Sequence, residues 1–354
     1  MTVARRILRI GSMASACLLV MFTALSLGAA QPSLNLLIWS EYIDPQVVAD
    51  FERLNGCRVV IDLFEEESAM VAKIRNGGAS QYDVVVAPDH TVPKLSKLQL
   101  LRPLHLDRLA AITNLESRFL NPPYDRGNRY SIPYLWGTLC VYARVPKGKP
   151  LVPSWGLFFD PKQQPDSFLL IDGMRDLMGA ALKYRGHSLN TTNIFELKEA
   201  RDLILNAKRR SMGFEGGAGG KNKVLAKTVA AAMAYSGDAL RGVKEDSETV
   251  CFIPKEGSQI WVDNLVVCSG APHAELAEKF LAFLLEPRVS ARLANFLNYA
   301  TPNRESKVFL EPSLLNNPAV YPSPDVMSKL EFVEDLGRST RLYDEVWTQI
   351  RTKY

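Results

Sequence analysis

Residues 35–51 read NLLIWSEYIDPQVVADF, and the change of pattern inside them decides the architecture. Leu36, Leu37 and Ile38 form an apolar run of the kind that fills a strand buried on both faces. Val47, Val48 and Phe51 then recur at helical spacing, behind Asp44 as N-cap and Pro45 in the first turn. Between strand and helix stand Trp39, Ser40, Glu41 and Tyr42. In an open α/β sheet, the loop that leaves a strand's carboxyl end and enters a helix is where ligands bind. Two rings beside an acid suit a cation with apolar flanks, because rings hold an ammonium face-on and the carboxylate neutralises it. The plain alternative makes Trp39 core and Tyr42 a packing residue at the helix cap.

The same strand–helix rhythm continues outward. Residues 57–64 read as a second strand with a helix over 68–75, and 82–89 as a third buried strand broken at Pro88, with a helix over 92–98. Such alternation predicts a parallel sheet. Residues 130–142 run extended and are expected to cross between domains. Further elements are a strand at 168–172, helices over 175–184 and 195–207, and a helix running into a strand over 224–235. A strand at 260–267 returns to the first domain, and an amphipathic helix follows over 274–285. The glycine-rich stretch 212–220 reads as a flexible connector. It is not a phosphate loop, because Glu215 stands where that loop needs glycine and Asn222 where it needs Ser or Thr.

Length and composition fit two soluble domains: 354 residues, 47% hydrophobic and 23% charged. Arg5, Arg6 and Arg9 precede an apolar run over 13–27 that ends in small residues, which predicts a signal peptide cleaved near Ala30 and export to the periplasm. Cleavage removes three arginines and no acid, leaving 39 basic against 38 acidic residues, so no basic field points to nucleic acid. Cys57, Cys140, Cys251 and Cys268 remain and match no metal spacing, and their pairing stays open. Only four histidines occur, none at zinc spacing, and no G-x-S-x-G elbow is present. The chain reads as a binder without cofactor or metal, not as an enzyme.

The candidate binding residues are dispersed. Trp39, Glu41 and Tyr42 follow the first strand, and Asp89 and His90 the third. Asp172 and Asp176 follow the strand at 168–172, and Tyr235 and Asp238 lie in YSGDA. Trp261 and Asp263 lie in IWVDN, and Tyr299 follows a late helix. Each group alone reads as structural, and Asp172 and Asp238 are by default helix caps. Their recurrence at element ends is what argues for one shared cleft.

Taken in order, WSEYI, YDVVVAP, YSIPYLWGT, YSGDA, IPKEG, IWVDN, FLLEPRV, NYATPN and YPSPDVMSKLEF resemble the periplasmic polyamine-binding proteins of ABC transporters, of the spermidine/putrescine type. The resemblance is collinear from about residue 34 to 347. It implies a type II periplasmic binding protein fold: α/β, with two lobes, each a mostly parallel sheet flanked by helices, and a ligand cleft between them. The expected division is 31–136 with 261–305 in lobe 1, and 137–260 with 306–354 in lobe 2. It also implies a monomer that captures a polyamine, putrescine or spermidine in class, and hands it to ABC permease subunits.

By position, Trp39 and Tyr42 resemble ring walls, and Tyr235 stands where the family usually has Trp. Asp238 resembles the amine-binding acid of putrescine-type members. Trp261 and Asp263 match the ring-plus-acid pair, with Asp263 as anchor, and Tyr299 matches a cleft tyrosine. Departures gather at one end. Pro88 replaces a Ser, His90 a Tyr, Gly173 an acid, Asp176 a Glu and Val333 a Gln. Two alternatives stay open: a receptor of the same fold for another small solute, and a polyamine sensor not coupled to transport.

Overall fold

The computed structural model describes residues 31–145 and 151–353. The expected signal peptide therefore lies outside the described residues. Ten strands form one continuous sheet: β1 (Ser33–Trp39), β2 (Arg58–Phe64), β3 (Val84–Pro88), β4 (Ser131–Arg144), β5 (Phe168–Ile171), β6 (Phe214–Glu215), β7 (Ala231–Tyr235), β8 (Thr249–Phe252), β9 (Gln259–Val267) and β10 (Glu331–Phe332). Their order is β2-β1-β3-β9-β4-β7-β5-β6, with β8 on β4 and β10 on β9.

The architecture is two parallel half-sheets joined by two long antiparallel strands. β1 pairs in parallel with β2 and β3, and β5 in parallel with β6 and β7. Between them, β9 runs antiparallel to β3 and β4, and β4 antiparallel to β7. All residues of β4 except the last are buried, so it belongs to both halves. Its start, Ile132 to Trp136, joins one core with Leu34, Leu36 and Ile38. Its end, Leu139, Val141 and Ala143, joins a second core with Phe168, Leu170 and Met233. The alternate residues Cys140 and Tyr142 face a smaller core on the other side. This double-faced burial is why the strands read as unbroken apolar runs.

The opening unit forms as its sequence predicts. Asp44 caps the helix Pro45–Asn55 by accepting from the Gln46 N–H at 2.9 Å, and Gly56 ends it at a φ of 58°. One expectation differs from the structure. The glycine-rich stretch contains a helix, Gly217–Leu225, laid on β7. A Cβ on Gly217 would meet the Tyr235 ring at 3.0 Å, and one on Gly220 the Ala232 Cβ at 3.0 Å, so these glycines form a bare helix face that lets the backbone approach the sheet. Residues 310–320 pack against the first core. Leu310, Leu314, Ala319 and Val320 complete the first core. The chain returns through β10, and Tyr343, Val346 and Ile350 of the helix Thr340–Thr352 then fill the second core.

Candidate functional site

β1 ends at Trp39, and the turn into the next helix puts Glu41 at a φ of 52°, a backbone state that residues other than glycine seldom adopt. The turn leaves Glu41 exposed and buries Tyr42. Asp263 lies on β9, where it pairs with Pro88 at the end of β3 and with Leu135 of β4, so it sits where the joining strands meet. A β-bulge between Pro133 and Leu135 marks the same point.

Five rings run in series from the first half-sheet to the second. Tyr134 meets Tyr42 at 5.7 Å between ring centroids, Tyr42 meets Tyr299 at 5.8 Å, Tyr299 meets Trp261 at 5.2 Å, and Trp261 meets Tyr235 at 6.1 Å, each edge to face. Trp39 stands apart on Phe64, at 4.2 Å. Two glycines make room for this wall. A Cβ on Gly137 would strike the Trp261 indole, and one on Gly237 the Tyr299 ring.

The acids are held out of water. Burial pushes the Asp263 carboxyl up to about 7, while the Tyr42 hydroxyl, the His90 charge and the Trp39 indole N–H beside it pull the other way. Neither Trp39 Nε1 nor Tyr42 Oη completes a well-formed hydrogen bond, and Trp261 Nε1 is likewise buried without a partner. Burial also raises Asp238, against the opposing pull of Arg241, to which it is ion-paired, and of Lys221; the Glu41 charge adds to the rise. Burial raises Asp176 too, although Gln259 and Tyr235 donate hydrogen bonds to it. Tyr299 feels the charges of both Asp238 and Asp263, and its ring packs against Gly237, next to Asp238, and against Tyr42 and Trp261.

The structure thus brings together Trp39, Tyr42, Asp176, Tyr235, Asp238, Trp261, Asp263 and Tyr299, with Glu41 at the rim. Asp89 is present but committed: it accepts from the His90 backbone at 2.7 Å, from the His90 ring at 3.1 Å and from the Val262 N–H at 3.3 Å. His90 is half-buried and bridges Asp89 to Glu67, its Nε2 lying 2.8 Å from Glu67 Oε2. Asp172 is not part of the group. It is exposed and ion-paired to Arg351 at 2.7 Å. Alternation explains this: the residue just past β5 points outward, and the acid one helical turn on, Asp176, points in. Sequence reasoning missed Tyr134, whose hydroxyl donates to the Tyr42 carbonyl at 2.9 Å, and also Gln259 and Glu67. Tyr134 lies in the motif YSIPYLWGT, so it carried a signal; Glu67 carried none.

Residues 46–320 match the family described as bacterial extracellular solute-binding protein. The chain belongs to this family. Its members bind solutes and are not enzymes. Among relatives, the putrescine/cadaverine-binding protein of Pseudomonas aeruginosa is 32% identical over 95% of this chain and 99% of its own length. The spermidine/putrescine-binding periplasmic protein of Salmonella typhimurium is 28% identical over 93% of this chain and 95% of its own. The solved spermidine/putrescine ABC transporter substrate-binding protein of Streptococcus pneumoniae superposes with a TM-score of 0.82 at 28% identity, over 91% of this chain and 99% of the other. A GABA receptor structure matches at 0.72 with 18% identity, which speaks for the fold alone. The two-lobed type II binding-protein fold expected from sequence is the fold of this family.

Proposed function

We propose that this protein is a periplasmic receptor that closes on a polyamine and delivers it to the permease of an ABC transporter. The observation that carries this reading is the pair of desolvated carboxylates, Asp263 and Asp238, beside the packed rings of Tyr299 and Trp261. A chain with an ammonium at each end and methylenes between has that complementarity. One ammonium pairs with Asp263 among Trp39, Tyr42 and Trp261. The other reaches Asp238 and Glu41, and the methylenes lie along the rings. Burial disfavours the charged form of these carboxylates, an entering cation favours it, and rings facing a desolvated ammonium add about 0.5–2 kcal/mol each.

The lobes we assign are residues 31–136 with 261–321, and 137–260 with the closing helix. The boundary moves because Leu310 to Val320 pack in the first core. Closure follows from the ligand contacting both lobes, since only differential affinity for the shut state shifts the equilibrium. A monomer suffices for this cycle. The relatives' names, the collinear motifs and the buried Asp263 carboxylate support the ligand class. The test is Asp263→Asn. Binding of putrescine or spermidine should weaken by about 2–5 kcal/mol, thirtyfold or more, in calorimetric titration. Equal affinity in the variant would remove Asp263 as the anchor.

A further inference from the structure

Independently of the ligand class, we propose that Cys140 and Cys251 form a disulfide in the exported protein. The bond fastens β8 to the shared strand β4, beneath the helix that carries Asp238. Both residues are free thiols in the structure, and their sulfurs lie 2.9 Å apart, inside van der Waals contact. Closing that gap to a bond of about 2.05 Å takes less than about 1 Å of movement.

The backbone brings the two together. β4 and β8 are antiparallel, with Val141 opposite Phe252 and Tyr142 opposite Cys251. Side chains alternate along a strand, so Cys140, Tyr142 and Cys251 share one face, and Cys140 is the diagonal neighbour of Cys251. The helix Ser236–Glu245 covers that face, close enough that a Cβ on Gly242 would strike the Tyr142 hydroxyl. Cys140 is buried in the small core with Leu169, Ala234 and Ala239, and Cys251 is half-buried at its edge. The other two cysteines are placed elsewhere. Cys57 packs in the first core and Cys268 in a separate cluster with Leu37 and Ile74. Among the described residues, Cys140 and Cys251 are the one pair of cysteines in contact.

Extracellular compartments favour such bonds, and the family is an extracellular one. The oxidant is a dithiol–disulfide exchange catalyst. Cys251, the more accessible thiol, loses its proton, and its sulfur attacks the catalyst's disulfide to form a mixed disulfide and release one catalyst thiolate. The Cys140 sulfur, its proton lost in turn, attacks Cys251 Sγ, and the second catalyst thiolate leaves. The protein gives up two electrons and two protons, and the catalyst's disulfide becomes a dithiol. Burial fixes this order, because it pushes the Cys140 thiol well up and keeps that sulfur from attacking first. The two residues are 111 apart in sequence, and the closed loop holds β5, β6, β7 and the helix bearing Asp238. A bond that closes so long a loop restrains the unfolded chain strongly.

Peptide mapping of the exported, unreduced protein should recover one cross-linked peptide joining Cys140 and Cys251. Cys57 and Cys268 should be labelled as free thiols, and the thiol count in denaturant should rise by two on reduction. Reduction should lower the melting temperature of the wild type by several degrees and leave that of Cys251→Ser unchanged. Recovery of Cys140 and Cys251 as free thiols, a cross-link through Cys57 or Cys268, or a wild-type melting temperature indifferent to reduction overturns the bond. Each of these results leaves the receptor reading standing.

Discussion

Burial sets the acid–base behaviour of Asp263, with a carboxyl pushed up to about 7, well above the ordinary aspartate value. A folded-state pKa above the unfolded one gives stability that is fully present below about pH 4 and is lost as pH rises through 7. Asp263→Asn removes that loss. The melting temperature of the ligand-free variant should therefore exceed that of the wild type by more at pH 8 than at pH 5, measured by calorimetric scanning. Ligand binding has the opposite sign. An ammonium needs the ionised form, so affinity should fall by about tenfold per pH unit below 7 and binding should release a proton, which titrations at pH 6 in buffers of different ionisation enthalpy would detect. Affinity flat from pH 5 to 8 would contradict the account. Trp39, Tyr42, Trp261, Asp263 and Tyr299 were legible in the sequence because rings and acids recur at strand ends. The partnership of His90 with Glu67 was not, since 23 residues separate them and neither lies in a ring–acid motif. Asp172 misled because a strand end predicts proximity to the cleft but not which way a side chain points.

Single elements carry the ring wall. The helix Ser236–Glu245 can bring Gly237 against the Tyr299 ring only because Gly237 lacks a Cβ. Gly237→Ala should displace that ring and cost about 1–3 kcal/mol of stability, with amine affinity falling about tenfold. A variant that binds normally would show the ring to be dispensable. The C-terminal helix gives a control away from the cleft. The Tyr343 hydroxyl lies 2.9 Å from the Leu189 and Thr191 carbonyls, tying this helix to the second core. Tyr343→Phe should lower stability by about 0.5–1.5 kcal/mol in denaturant unfolding and leave amine affinity unchanged. β1, β3, β4 and β9 were legible as apolar runs because they are buried on both faces. The helix Gly217–Leu225 was not, because its glycines serve close packing against β7, a need that only tertiary contact reveals.

The whole molecule is two half-sheets sharing β4 and β9, and the proposed receptor cycle requires them to close around the row of rings. The strand–helix alternation made the two-lobed α/β architecture readable. The return of residues 310–320 to the first core was not, since nothing in that Pro-rich stretch says which lobe it completes. A ligand that binds only the folded, closed form stabilises it by about 4 kcal/mol at a thousand times its Kd, so added amine should raise the melting temperature and reduce the radius of gyration together. The most direct test is calorimetric titration of the mature protein, refolded to strip any bound amine, with putrescine, cadaverine, spermidine and spermine. The account predicts micromolar or tighter binding to at least one of them. Silence across all four would contradict it.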